Sequence, residues 1–105
     1  MTSEYIIVET FCNDEKIADK IISTLLKKKL VAGSQKSVVE SKYWWNNKLE
    51  TEKEFKLEFR TRKDKHDNIV EEIKKIHNYE VAEITSIDIN RANLEFYYWI
   101  DDSIR

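Results

Sequence analysis

Proline is absent and glycine occurs once, at Gly33, so the chain offers neither a Gly- or Pro-rich linker nor a glycine-rich phosphate loop. The lone cysteine, Cys12, excludes an intrachain disulfide and suits a reducing compartment. No apolar run approaches the roughly 18 residues of a membrane-spanning helix. The opening MTSEYIIVET lacks the basic segment and long apolar stretch of a secretory signal, so the expected location is cytoplasmic, away from any membrane. Neither sign of charge dominates. With 18 basic against 20 acidic side chains the net charge is only -2, which argues against a nucleic-acid or anionic-membrane partner. Repeats and low-complexity tracts are missing too. The 105 residues are expected to form one domain, 1–105, around one core.

What is present is a long hairpin, Ser37 to Thr61, SVVESKYWWNNKLETEKEFKLEFRT. From Lys48 to Arg60 every even position is charged, whereas Leu49, Phe55, Leu57 and Phe59 occupy odd ones, the pattern of a strand wet on one face. Asn46-Asn47 suits a two-residue turn with positive φ. Pairing across that turn sets Trp44 opposite Leu49, Val38 opposite Phe55 and Glu40 opposite Lys53, a sensible register on both counts. Arms of about 15 residues span about 50 Å, against a diameter of roughly 33 Å for a compact chain of this size. The tip, carrying Tyr43, Trp44 and Trp45, is therefore expected to overhang its body and to need another subunit as cover.

The flanking segments complete the order βαββαβα. Glu4–Phe11 reads as a central strand buried on both faces. Asn13 is the expected cap of a helix over Asp14–Leu30, with Ile17, Ile21, Leu25 and Leu30 at helical spacing and Lys27 to Lys29 at its negative end. Val31–Gln35 leads into the hairpin, with Gly33 as a turn or bulge. Asp64 and Asp67 form a loose capping pair ahead of a second helix ending near His77. Val81–Ile89 is the fourth strand, and Asn90–Ile104 a third helix with Leu94, Tyr97, Tyr98, Trp99 and Ile100 on its apolar side. Right-handed connections then give an α+β fold, a ferredoxin-like βαββαβ sandwich with a long central hairpin and a C-terminal helix.

The strings LVAGS, YWWNNKLE, EFRTRK, IHNYEVAEI and NLEFYYWI, in this order and spacing, resemble the CutA divalent-cation-tolerance family over nearly the whole chain. That family reads KLAAC, Y-x-W-x-G-K-x-E, I-K-T-R, H-P-Y-E-x-P-E and N-x-x-Y-L-x-W at these places. His77, Tyr79, Glu80 and Glu83 match the H-P-Y-E-x-P-E positions, Trp45 the tryptophan before the turn, Lys48 and Glu50 the K-x-E pair, and Trp99 the C-terminal tryptophan. Gly33 stands where the family has cysteine, Asn47 where it has glycine, Asn78 and Ala82 where it has prolines, and Arg60 where it has lysine. The resemblance implies a homotrimer joined through the hairpins, similar in outline to the PII signal proteins, with a role in copper or other divalent-cation tolerance and no established reaction. Of the family's proposed copper ligands, the cysteine position falls nearest Thr10, two residues before Cys12.

The chemistry stays open between two readings. In one, His77, Glu80 and Glu83 hold a weak copper or zinc ion, completed by Cys12 or His66 across a subunit boundary. In the other, His77 and Tyr79 close the second helix and the glutamates make surface ion pairs. Trp45, Lys48, Glu50, Arg60, Tyr79 and Trp99 are expected to line a cleft or an interface, which would equally suit a PII-like small-ligand sensor or a protein-interaction module. Arg60, Arg62 and Lys63 offer anion contacts near the second helix. No catalytic residue is expected. KEFKLEFRT lacks the aromatic-glycine signature of an RNA-recognition module, TFCNDE lacks the loop of an acylphosphatase, and no nucleophile motif joins Ser, His and Asp.

Overall fold

The computed structural model describes residues 4–104. In chain order the elements are β1 (Tyr5–Cys12), α1 (Glu15–Lys27), β2 (Gly33–Trp45), β3 (Lys48–Arg62), α2 (His66–Ile76), β4 (Ile84–Asp88) and α3 (Leu94–Ser103). The sheet order is β2-β3-β1-β4, with every neighbouring pair antiparallel. β3 lies between the strands joined through α1, and β1 between those joined through α2. That interleaving is the ferredoxin-like arrangement read from the sequence.

Register decides which face is dry. Val8 pairs with Phe59 and Thr10 with Leu57, so even positions of β1 and odd positions of β3 share one face. They pack with Ala18, Ile21 and Leu25 of α1 and Ile69 and Ile73 of α2 into the core. Each fully buried aliphatic side chain contributes about 1.5–3 kcal/mol. Contrary to expectation β1 is not buried on both faces: its odd positions are only half-covered, because no helix pair lies on that side. α3 covers one end of it. Tyr97 stacks on Tyr5 at 4.3 Å between ring centroids, and the Tyr5 hydroxyl donates to Asp101 at 2.9 Å.

The hairpin follows its expected register, with Trp44 opposite Leu49, Glu40 opposite Lys53 and Val38 opposite Phe55. Asn46 and Asn47 take φ of 50° and 62°, as a primed turn requires. The ladder runs back past Ser37 to Gly33, which pairs with Arg60. Since β1 ends opposite Phe55, the tip projects beyond it and stretches the molecule to 45 Å against 28 and 22 Å in the other directions. The charged ladder of β3 is fully exposed only at Lys48, next to the turn, and half-buried along most of its length. Glu54, farther down, is just 6% exposed.

Gly33 is neither turn nor bulge. It is a strand residue without positive φ, and what requires glycine is Trp99, whose Cη2 would lie 2.9 Å from an added Cβ. Gly33→Ala should push the indole aside and lower stability by about 1 kcal/mol. Thermal melting checks this: the penalty should vanish in a Trp99→Ala background, and an equal penalty there would remove the ring as its cause.

Other boundaries moved for local reasons. Asp14, not Asn13, caps α1, its Oδ1 accepting from the amides of Lys16 at 2.8 Å and Ile17 at 3.4 Å. The helix stops at Lys27 rather than Leu30, where Lys29 at φ 56° lets the Leu30 amide reach Leu25 O at 3.0 Å. With glycine so scarce, lysine takes the left-handed position at a cost of order 1 kcal/mol. The Asp64–Asp67 capping pair does not form: no side chain caps α2, and Asp64 instead accepts two bonds from Arg62, at 2.9 and 3.1 Å. Asn90–Asn93 precede α3 rather than belonging to it, and Leu94, Tyr98 and Trp99 stay exposed while Ile100 is buried. β4 begins at Ile84, not Val81: its ladder with β1 stops at Thr10, and the next carbonyl, Phe11 O, accepts from His77 Nε2 instead.

A candidate cleft beneath the hairpin

Past the end of β1 the hairpin continues alone, and the segment after α2 arches up to meet it. His77 fixes the base of that arch. Its backbone amide donates to Ile73 O at 2.8 Å, ending the helix, and its Nε2 bonds Phe11 O at 2.7 Å. The Tyr79 amide donates to Nδ1 at 3.1 Å. A carbonyl can only accept and an amide only donate, so the partners assign the proton to Nε2 and use both ring nitrogens.

So placed, Tyr79 donates its hydroxyl to Glu54 Oε2 at 2.6 Å. Burial, reinforced by that carboxylate, pushes the phenol pKa well above its ordinary value. Beside it the Tyr43 hydroxyl bonds Glu52 Oε2, and Asn13 Nδ2 donates to Glu52 Oε1 at 2.7 Å. The bond to Glu52, more than burial, pushes Tyr43 up from 10.0 to about 12. Because the folded value is the raised one, this bond stabilises fully below pH 10.0 and is lost as pH rises through about 12. Phenolate absorbance should therefore show Tyr43 still protonated near pH 11, and Tyr43→Phe should remove that late step. An ordinary titration of all tyrosines would contradict the bond.

The result is a cavity of about 740 Å³ walled by the aromatic rings of Phe11, Tyr43, Trp45 and Tyr79. Its polar lining includes four carboxylates, Glu52, Glu54, Glu80 and Glu83. Of the residues expected from the sequence, Trp45, Tyr79, Glu80 and Glu83 meet here. Lys48 and Glu50 lie nearer the tip, with Glu50 paired to Tyr43. Arg60 and Trp99 belong to the opposite end of the hairpin, around Gly33, where Arg60 donates to Gln35 Oε1 at 2.7 Å. Of the six residues expected at a cleft or an interface, Trp45 and Tyr79 line this cleft, Lys48 and Glu50 lie toward the tip, and Arg60 and Trp99 lie at the far end.

Cys12 is fully buried in the core, and burial pushes its thiol pKa up. His66 bonds Ser86 Oγ at the start of α2, the end opposite His77. Among the described residues no three His, Cys, Asp or Glu side chains gather closely enough to hold a metal ion. Glu52, Glu54 and Tyr43 escaped notice because the even-numbered ladder looked uniformly solvated. The register itself, which puts Tyr43 diagonal to Glu52, held the signal.

Comparison with known proteins agrees over the same span. The family model described as CutA1 divalent ion tolerance protein matches residues 6–103. The divalent-cation tolerance protein CutA of Pyrococcus horikoshii is 36% identical over 95 residues, covering 90% of this chain and 93% of its own. The structure of the periplasmic divalent cation tolerance protein CutA from Archaeoglobus fulgidus superposes with a TM-score of 0.93 at 31% identity, over 96% of this chain and 99% of that one. CutA1 from the psychrotrophic Shewanella sp. SIB1 gives 0.94 at 28% identity, covering 99% and 98%. With sequence and fold matched along nearly its whole length, the chain belongs to the CutA1 divalent ion tolerance family.

Proposed function

We propose that the protein serves divalent-cation tolerance as a homotrimer, binding copper or another divalent cation weakly and acting in a signalling-type, non-catalytic role through a protein partner. The observation that carries this reading is the overhanging hairpin, whose exposed Trp44 and Leu49 call for a neighbouring chain. The cleft hydroxyls are phenols hydrogen-bonded to carboxylates and held protonated, the reverse of an activated nucleophile. A cytoplasmic setting, with no nucleic acid or membrane partner, rests on the unpaired Cys12 and the balanced charge; the Archaeoglobus relative is described as periplasmic. No described helix is long and apolar enough to cross a membrane.

Weakness of the metal site follows from the hydrogen bonds. A copper ion reaches a lone pair of His77 only by displacing Phe11 O or the Tyr79 amide, and Cys12 must first leave the core. Glu80 and Glu83, both exposed, are the accessible members of the set. Titration of copper into wild type and His77→Ala by calorimetry should show weak binding that the variant loses. Identical isotherms would take His77 out of the site. A second reading, a PII-like small-ligand sensor without metal, is favoured by the cleft itself, whose volume falls in the usual range for small-molecule pockets.

A further inference from the structure

The cleft holds a buried carboxylate with no cationic side chain paired to it among the described residues. Glu54 is 6% exposed, yet its described partner is the neutral Tyr79 hydroxyl, and no described Lys, Arg or His forms an ion pair with it. Glu52 is likewise held by neutral donors, Tyr43 and Asn13. Lys42 is the basic residue of the lining, but its ammonium is turned away. It bonds Thr51 Oγ1 at 3.3 Å and lies 3.6 Å from Glu40, both on the opposite face of the hairpin from Glu52 and Glu54. Buried carboxylates ordinarily have a counter-charge, because an uncompensated one is costly in low dielectric.

The arrangement also says which kind of cation fits. A compact divalent ion needs several oxygen donors converging on one point, and the carboxylates here are spread around about 740 Å³ without converging. Phe11, Tyr43, Trp45 and Tyr79 line the same cavity. Aromatic faces attract an organic ammonium and pack against methylene groups, which a hydrated metal ion does not provide. Spread carboxylates in a cavity walled by aromatic rings match a chain whose positive charges are separated by methylenes.

We infer that the cleft under the hairpin is a binding site for an aliphatic polyamine, with Glu54 taking a buried ammonium and Glu80 and Glu83 the outer charges. This deepens the small-ligand reading and rests on it. Cleft occupancy by such a cation supplies a counter-charge to Glu54, the carboxylate that ties Tyr79, and through it the His77 arch, to the hairpin.

Isothermal titration of spermidine into the native oligomer at low salt should give one site per chain, weakening as salt is raised. Glu54→Gln, which keeps an acceptor for Tyr79, should weaken binding about tenfold or more. Without ligand it should melt no lower than wild type, since it replaces a buried carboxylate that has no ion-pair partner among the described residues by a neutral acceptor. Glu71→Gln, on the exposed surface of α2, should leave binding unchanged. Absence of spermidine binding, an equal loss in Glu71→Gln, or a lower melting point or dissociated oligomer for Glu54→Gln would each overturn the site. Citrate and indole separate the two levels. If either binds wild type while spermidine does not, a small-ligand cleft survives and its cationic selectivity falls; if none of the three binds, both fall.

Discussion

Light scattering on the purified protein should return three times the 12.6 kDa chain mass, unchanged on dilution through the micromolar range. The physical need is visible in one chain. The hairpin tip leaves Trp44 73% and Leu49 61% exposed, together with Val38 on the same face. β2, at the sheet edge, presents an unpaired row of backbone donors and acceptors along 13 residues. A neighbour's strand can bond that row. Contact between an edge on one chain and a different surface on the next is head-to-tail, so it must close into a ring or grow into a fibre. Three is the number that the CutA resemblance implies. A well-folded monomer would overturn the assembly, and a dimer would leave the fold intact while discarding the trimer.

Legibility in the sequence tracked how local the determinants were. The hairpin register and turn were readable because the alternation of Lys48 to Arg60 and the two asparagines act on neighbours. The sheet order followed once the βαββαβ order was combined with right-handed connections. Positions that depend on distant partners were not readable. Gly33 is explained by Trp99, and β4 starts late where His77 takes the Phe11 carbonyl, both contacts between segments far apart in the chain. Asp64 looks like a cap until Arg62 claims it.

The site divides in the same way. Trp45 comes from the motif before the turn and Tyr79, Glu80 and Glu83 from the one after α2, yet they meet in one cleft, whereas Trp99 matches the family equally well and sits with Arg60 at the other end of the hairpin. Motif membership alone carries no position. Glu54 is the reverse case, the one buried carboxylate among the described residues and indistinguishable by pattern from Glu50 or Glu58. Only the end of β1, which leaves the hairpin to be met by the arch from His77, makes it different.

The adjacent tryptophans, both expected to anchor the assembly, should part company under mutation. Successive strand residues face opposite sides. Trp45 lines the cleft at 41% exposure, while Trp44 points to the other face beside Leu49 and is the most exposed large apolar side chain described. Truncating a buried interface tryptophan commonly costs about 2 kcal/mol or more, and a trimer contains three such contacts, so the loss reaches roughly 6 kcal/mol per trimer. Placing a carboxylate there adds the desolvation of a charge. Trp44→Glu should therefore shift the scattering mass from trimer toward monomer at micromolar concentration and lower the melting temperature. Trp45→Ala should keep the trimer mass and change the fluorescence response to cleft ligands. Full trimer mass in Trp44→Glu would show that the exposed face of the tip stays in water, and dissociation by Trp45→Ala alone would move the interface into the cleft.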